Sequence, residues 1–278
     1  MTRISATFTR LAKERRSAFI PFLVAGDPDL ETTGELLAAM ARGGADVIEI
    51  GVPFSDPIAD GPVIQRAATR ALAAGTSLSA VLELVARKRA EIDVPLVLFT
   101  YFNPIHARGV ARFAEQAEAS GVDGVLCVDL PPEEGAEELV PALFARGIDT
   151  IFLLAPTSDR RRIAQVARQA SGFVYYVSVT GVTGERRQLP SALASDVRAL
   201  RKKLAQPLAV GFGISTPEQV AAVAKAADGV VVGSALVRLI EEKAGHPHLA
   251  DLVEERVREL AAPLKTPRKR SFLFGWGR

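Results

Sequence analysis

Two acidic residues, Glu49 and Asp60, stand where carboxyl groups could transfer protons. Glu49 lies inside a short apolar run, residues 47–52, and Asp60 follows in a proline-rich loop. A buried carboxyl group must be paired or have its pKa raised, and with a raised pKa it can give and take a proton near neutral pH. Two such groups in different environments separate acid and base roles. The pattern indicates acid–base catalysis, with a helix cap or loop brace as the alternative for Asp60.

The run around Glu49 also indicates the direction of its side chain. Successive side chains of a strand point to opposite faces, so Ile48 and Ile50 share one side and Glu49 takes the other. In a barrel, one of these sides is the packed interior or its mouth. A carboxyl group there would need a partner, and Asp60 could stand opposite it at the mouth.

Repeated patterns indicate the fold that would position these residues. Apolar runs typical of strands alternate with helical patterns, which predicts a parallel sheet. A short pattern of small or apolar residues around an aspartate recurs at residues 44–47, 121–124 and 227–229. At each place a helix would end and a strand would begin. Eight units in 278 residues favour a single-domain (β/α)8 TIM barrel over an open doubly wound sheet. The apolar runs begin near Ala18, Val47, Pro95, Gly124, Asp149, Phe173, Pro207 and Gly229.

The two ends of the chain differ from the repeating part. Ile4, Phe8 and Leu11 recur at helical spacing and predict an extra N-terminal helix that covers an exposed face. We expect the catalytic barrel to span residues 1–264. Residues 265–278 are basic and aromatic, which favours a loosely ordered tail over a membrane or partner anchor.

Two glycine-rich segments predict phosphate binding. In a barrel of this kind the active site lies at the carboxyl ends of the strands, and phosphate commonly follows the last two. Residues 211–215 and 233–235 stand at these two places, where glycine N–H groups and a helix start at Ser234 could bind an anion. The alternative is that the glycines only turn the chain. Residues 179–188, after the sixth strand, predict a mobile lid or an ordinary surface loop.

Composition argues against several classes of protein. A formal net charge of +2 implies no strong field toward nucleic acid. The single cysteine, Cys127, rules out an internal disulfide framework and predicts a buried side chain on a strand. The three histidines are not clustered as metal ligands would be, so we expect no metal. Without a signal peptide pattern or a membrane-spanning run, a soluble cytoplasmic protein is expected.

The order and spacing of four motifs resemble one known family. The motifs are residues 21–28 (PFLVAGDP), residues 49–65 with EIGVPFSDP and DGP, residues 178–184, and residues 211–214. With them the chain resembles the tryptophan synthase alpha chain over roughly Phe8 to Leu260. The resemblance implies a retro-aldol cleavage of indole-3-glycerol phosphate to indole and glyceraldehyde 3-phosphate.

The resemblance also implies roles for single residues. Glu49 matches the glutamate that is the general acid/base of the family. That glutamate protonates indole C3 and helps to deprotonate the glycerol hydroxyl. Asp60 would accept from the indole N–H and stabilise the positive charge that grows there. Tyr175 would stand beside the glutamate, and Thr183 in the lid would bind the aspartate. The implied indole wall is Phe22, Phe99, Leu126, Val128 and Phe212, and the implied phosphate site is Gly184, Gly213, Gly233 and Ser234.

The resemblance finally implies an α2β2 complex in which indole passes through a tunnel to a beta chain. Pro53, Asp56 and Pro57 lie in the segment that would dock on this partner. Pyridoxal phosphate would belong to the beta chain, and no cofactor is expected in this chain. The alternatives are a stand-alone indole-3-glycerol-phosphate lyase, another phosphate-binding barrel such as a sugar-phosphate isomerase, and a non-catalytic subunit that only activates a beta chain.

Overall fold

Eight parallel strands close into a barrel in which the spatial order of the strands is their order in the chain. The computed structural model describes residues 1–177, 192–211 and 213–267. The eighth strand pairs with the first, which closes the barrel. The predicted (β/α)8 barrel is therefore confirmed, and the open sheet is excluded. Strands β1 to β8 span, in chain order, Ala18–Val24, Ile48–Gly51, Leu96–Thr100, Gly124–Cys127, Asp149–Leu154, Val174–Val177, Leu208–Gly211 and Gly229–Val232.

Helices surround the barrel and connect its strands. Asp29 caps the second helix by accepting from the backbone N–H of Thr32, as helix starts commonly require. No helix in the described parts of the chain has the length and apolar character needed to cross a membrane. Helices α1 to α13 span, in chain order, Arg3–Glu14, Leu30–Gly43, Pro62–Ala73, Leu78–Lys88, Phe102–Arg108, Val110–Ser120, Pro132–Gly135, Leu139–Phe144, Arg160–Gln169, Leu193–Arg201, Pro217–Ala224, Ser234–Glu242 and Leu249–Ala261, with short 3₁₀ helices at Arg89–Glu91 and Ala262–Leu264.

The strands are apolar on both faces because one face meets the helices and the other fills the barrel. On β2, Ile48 and Ile50 pack in the large cluster between barrel and helices. Glu49 has the opposite orientation and pairs in register with Phe22 of β1 and Val97 of β3. Val97 belongs to the cluster inside the barrel. Glu49 therefore faces the interior, as the alternation predicted.

Helix α1 closes the end of the barrel at which the strands begin. Ile4, Phe8 and Leu11 are buried in the same apolar cluster as the barrel interior. The ring of Phe8 lies 5.6 Å, centroid to centroid, from the ring of Phe173, just before β6. The predicted N-terminal helix is present, and it fills the opening at this end.

Three aspartates tie neighbouring strands together at the same end, and we call Asp46, Asp123 and Asp228 the base aspartates. They are the acidic members of the recurring pattern found in the sequence. Each precedes an even-numbered strand and accepts a backbone N–H from the start of the strand before it. The donors are Phe19 to Asp46 at 3.0 Å, Leu96 to Asp123 at 2.9 Å and Leu208 to Asp228 at 3.0 Å.

Arginines accompany the base aspartates. Arg16 lies 3.7 Å from Asp46 and Arg89 lies 3.0 Å from Asp123, while Arg201 pairs with Asp228. Burial raises the pKa of Asp46 and of Asp123, but the backbone N–H bonds and the arginine charges oppose the rise. These carboxylates are therefore paired groups that join strands.

Candidate active site

Glu49 is held inside the barrel by β2 and is almost completely shielded from solvent. The residue is only 1% exposed to solvent. The atom Oε1 is buried, and no residue in the described part of the chain donates a hydrogen bond to it. Because burial disfavours the charged form, it raises the pKa of Glu49 to about 8. Glu49 therefore carries a proton at neutral pH and can act as an acid.

Asp60 stands in the loop between β2 and α3 and keeps the opposite protonation state. The hydroxyl of Tyr101 donates to Oδ2 of Asp60 at 3.1 Å. Burial raises the pKa of Asp60 to about 6, and the Tyr101 hydrogen bond opposes the rise. The amide of Gln65, on α3, donates to the backbone carbonyl of Asp60 at 2.9 Å. At neutral pH Asp60 is thus mostly ionised, on a backbone tied to the first turn of α3.

Tyr101 is a residue of this site that the sequence reasoning missed. Its hydroxyl accepts from the backbone N–H of Ala59 at 3.1 Å while it donates to Asp60. Its ring stacks on Phe54, with centroids 4.9 Å apart. Tyr101 directly follows β3, at the end of the barrel where active sites form. A hydroxyl-bearing side chain in that position was the available signal.

Tyr175 faces Glu49 across the barrel interior from β6. A Cβ atom on Gly211, in β7, would lie only 2.0 Å from the Tyr175 hydroxyl oxygen, so the ring occupies space that glycine leaves open. Burial, and after it the charge of Glu49, raises the pKa of Tyr175 well above its usual range. Tyr175 is therefore a neutral hydroxyl group beside the acid.

One cleft at the carboxyl ends of the strands is lined by Glu49, Asp60 and Tyr175 together. It encloses about 640 Å³ of space outside the protein atoms, open solvent included. Phe22 and Phe99 meet edge to face in its wall, with ring centroids 5.3 Å apart. The lining residues are Phe22, Glu49, Ala59, Asp60, Ile64, Phe99, Val128, Leu153, Tyr175, Gly213, Ile214, Val231, Gly233 and Ser234.

The cleft contains most, but not all, of the residues expected from the sequence. Leu126 is fully buried inside the barrel and is not among the lining residues, because it lies on β4 two residues before Val128, which directly follows the strand. Thr183, Gly184 and Phe212 lie outside the described residues. Residues that line the cleft without having been expected to do so are Ala59, Ile64, Leu153, Ile214 and Val231.

The glycine segments meet at one end of the cleft. Gly233 is the N-cap of α12, and Ser234 is its first residue; the free N–H groups of such a helix start attract anions. Gly213 has φ 75°, a conformation that glycine adopts easily. The backbone of Ser215 is fixed from two sides, since its N–H donates to Gln219 at 2.7 Å and its carbonyl accepts from Arg256 at 2.7 Å. This end of the cleft can hold a phosphate group.

The proline-rich loop between Glu49 and Asp60 has a buried start and an exposed middle. Pro53 is buried, Pro57 is half-buried and Asp56 is exposed. Ile58 is 81% exposed, which is unusual for a large apolar side chain. The contact of Pro53, Asp56 and Pro57 with a partner stays a prediction.

Cys127 is buried on β4, as predicted. Its thiol donates to a carboxylate oxygen of Asp129 at 3.3 Å, and burial raises its pKa. Within the described residues, no group of three or more His, Cys, Asp or Glu side chains is arranged to hold a metal ion.

The fold and the cleft are those of a class, the (β/α)8-barrel enzymes with the active site at the carboxyl ends of the strands. Within this class, the chain belongs to the tryptophan synthase alpha chain family, whose family model matches residues 8–265. The resemblance noted in the sequence is confirmed.

Individual relatives agree with this assignment. The chain is similar to the tryptophan synthase alpha chain of Geobacter sulfurreducens, at 57% identity over 241 residues, which are 87% of this chain and 91% of that protein. It is also similar to the crystal structure of tryptophan synthase subunit alpha from Legionella pneumophila, with TM-score 0.85, 36% identity and coverage of 95% and 98% of the two chains. A chain in the crystal structure of the tryptophan synthase complex from Pyrococcus furiosus gives TM-score 0.82 at 39% identity, with coverage of 89% and 99%.

Proposed function

We propose that this chain is the alpha subunit of a tryptophan synthase and cleaves indole-3-glycerol phosphate to indole and glyceraldehyde 3-phosphate. The observation that carries the proposal is the pair of carboxyl groups in one cleft, with the pKa of Glu49 raised to about 8 and that of Asp60 to about 6. The cleavage needs a proton for a ring carbon and a negative group beside a developing cation. At neutral pH this pair supplies both.

Glu49 starts the reaction as an acid. Its proton goes to C3 of the indole ring, and the ring becomes a cation with charge on its nitrogen. The Glu49 carboxylate then takes the proton of the hydroxyl on the carbon attached to the ring. That oxygen forms the aldehyde, the carbon–carbon bond breaks, and its electron pair returns to the ring. Glu49 ends protonated, as it began.

Asp60 stabilises the cation. As a carboxylate it accepts a hydrogen bond from the indole N–H, and this bond strengthens as positive charge grows on the nitrogen. Tyr101 donates to the other side of the same carboxyl group. Because Tyr101 also binds the backbone of Ala59, it aims Asp60 before the substrate arrives.

The substrate is held at both ends. The ring packs against Phe22, Phe99 and Val128, while the N–H groups near Gly213 and the start of α12 receive the phosphate. Fixing both ends places the bond to be broken beside Glu49, and such positioning contributes much of the rate. We assign Thr183, Gly184 and Phe212, which lie outside the described residues, to the lid, the phosphate site and the ring wall.

A beta chain is the proposed partner, in an α2β2 assembly that receives the indole. The family membership supports this, and the Pyrococcus furiosus relative comes from a tryptophan synthase complex. The exposed part of the proline-rich loop, with Asp56 and Ile58, offers a rigid surface for docking. Pyridoxal phosphate would belong to the beta chain, since the chemistry assigned here uses only carboxyl groups of this chain. The assembly would work in the cytoplasm.

Incubating the purified chain with indole-3-glycerol phosphate and following indole release tests the function. We expect slow release by the chain alone and strong stimulation by a beta chain. Equal rates with and without a beta chain would indicate a stand-alone lyase. No indole in either case would contradict the proposal and leave another phosphate-binding barrel activity, such as an isomerase, to be tested with sugar phosphates.

A further inference from the structure

A cluster of charged side chains lies outside the residues used in the proposed mechanism, and we call Asp27, Arg70, Glu241 and Arg66 the Arg70 cluster. The guanidinium of Arg70 makes two bonds of 2.8 Å to the two carboxylate oxygens of Asp27 and a third, of 2.7 Å, to Glu241. Asp27 is 3% exposed. A bidentate pair of this kind has a defined geometry as well as a strong attraction. Arg70 is therefore fixed in place by two different elements.

Each member of the cluster lies on, or shortly after, an element that also reaches the cleft. Asp27 follows β1, which carries Phe22. Arg70 lies on α3, whose first turn binds the backbone of Asp60 through Gln65. Glu241 lies near the end of α12, whose first residue, Ser234, lines the phosphate end. One guanidinium thus joins the ring wall, the indole-side carboxylate and the phosphate-binding helix.

The half of α3 that carries Arg70 meets these elements only through short side chains in this cluster. The residues of α3 in this contact are Val63 and Ile64 in its first turn and Ala67, Ala68 and Ala71 further along, and they pack with Phe22 of β1 and Val237 of α12. Short alanine side chains form shallow ridges, so they bring helices close without strongly fixing their relative position. The directional hydrogen bonds of Arg70 fix the position of α3, which the alanine contacts alone do not.

We propose that Arg70 is a positioning residue that sets the distance between the two ends of the substrate site. By holding α3 and α12 in register, it keeps Asp60 at the spacing from the N-terminus of α12 that one substrate molecule must span. This inference rests on the proposed function, because it assigns the indole to one end of the cleft and the phosphate to the other.

The test compares ligands that span both ends with ligands that occupy one. The spanning probe is an unreactive analogue with indole joined to phosphate through a saturated propyl chain, and the single-end probes are indole and inorganic phosphate. In Arg70→Met, we expect the analogue to bind about 10- to 100-fold more weakly, since small misplacements are this costly, with indole and phosphate binding unchanged. Calorimetry measures all three, and kcat/KM for indole-3-glycerol phosphate falls by the same factor.

Two further variants sharpen the result. Arg66→Ala is the matched control, because Arg66 binds the same Glu241 at 2.7 Å but belongs to an exposed pair that does not include Asp27; it should leave binding of the analogue unchanged. Arg70→Lys should recover only part of the affinity, because an ammonium group cannot bind Asp27 in bidentate fashion.

Three outcomes are decisive. Wild-type affinity for the analogue in folded Arg70→Met overturns the inference. Equal weakening of the analogue, indole and phosphate also overturns it, since that result indicates general damage to the cleft. If the unaltered chain binds the analogue no better than its separate halves, the proposed function fails, and the inference fails with it.

Discussion

Carboxyl groups at the two ends of this barrel have opposite surroundings. At the base, Asp46, Asp123 and Asp228 each accept a backbone N–H from a neighbouring strand and each lie beside an arginine. At the mouth, Glu49 has a buried oxygen to which no described residue donates, and Asp60 is held by a tyrosine hydroxyl. The same functional group therefore joins strands where it is paired with an arginine and a backbone N–H, and is assigned to catalysis in the proposed function where burial raises its pKa to about 8 or about 6.

The comparison also shows how one scaffold separates stability from chemistry. The base aspartates join strands through bonds that the folded chain satisfies internally. Glu49 costs the folded chain free energy whenever it is charged, because burial removes water from its carboxylate and no described residue donates to Oε1. Four predictions follow the difference between the two ends, from the largest expected effect to the smallest.

The largest effect is expected when the acid is removed. Glu49→Gln keeps the size of the side chain but removes the transferable proton, so we expect kcat for indole release to fall by about a hundred- to ten-thousandfold. The variant should still stimulate a beta chain, because the docking loop is untouched. Steady-state assays with and without the partner measure both properties. Loss of stimulation together with indole release would argue against the separation of roles.

The second prediction concerns the pH dependence of stability. Burial raises the pKa of Glu49 from 4.5 to about 8, so between these pH values the folded chain retains a proton that the unfolded chain has lost. Its contribution to the free energy of unfolding therefore decreases as pH rises from about 4.5 to 8, by about 1.4 kcal/mol for each unit of pKa difference. Urea unfolding between pH 5 and pH 9 measures this. The free energy of unfolding should decrease less with rising pH in Glu49→Gln than in the unaltered chain. Parallel pH dependences in the two proteins would show that Glu49 titrates normally.

The third prediction concerns the removal of one base aspartate. Asp123→Ala leaves the backbone N–H of Leu96 without its acceptor and Arg89 without its carboxylate, and we expect a loss of about 1–3 kcal/mol in the free energy of unfolding. The kcat of the folded variant should be unchanged. Arg3→Ala is the control, because Arg3 reaches Asp123 only through an exposed 3.6 Å pair and such pairs contribute little. A fall in kcat comparable to that of Glu49→Gln would contradict the division between the two ends.

The smallest effect is expected at Tyr101. Its hydrogen bond lowers the pKa of Asp60 against the effect of burial, so Tyr101→Phe should raise that pKa above about 6. Because the proposed reaction needs ionised Asp60, the rise of kcat/KM with pH should move to higher pH. The fall at higher pH, set by Glu49 near pH 8, should stay in place. A pH profile with both limbs unmoved would remove Tyr101 from the site.

The fold was predictable from the sequence because its signals are local. Apolar runs and helical spacing repeat eight times, and a carboxyl group inside an apolar run identifies Glu49 without any knowledge of distant contacts. The bond from Tyr101 to Asp60 joins β3 to the loop after β2, so it exists only once the strands have paired. The recurring acidic pattern was visible in the sequence because it is also local. The hydrogen bonds that its aspartates make to neighbouring strands were not visible, because they form only in the folded barrel.

Depth along a strand was also invisible in the sequence. Leu126 on β4 and Val128 directly after it are two positions apart and point to the same side, so alternation alone treats them as equivalent. In the structure Val128 lines the cleft, while Leu126 is buried below it. The depth of a residue along the barrel axis depends on how the strands are staggered around the barrel. This stagger is a property of the closed sheet.

Helix α1 closes the lower opening of the barrel in the described part of the chain. With Ile4, Phe8 and Leu11 packed into the lower opening, the described chain offers Glu49 no aqueous route from below, and bulk water must approach from the side where substrate binds. In the proposed reaction, a substrate in the cleft would stand between Glu49 and that water. The proton that Glu49 gives to the ring would then be replaced by the proton of the substrate hydroxyl, so the proposed cycle would restore the acid without drawing a proton from solution.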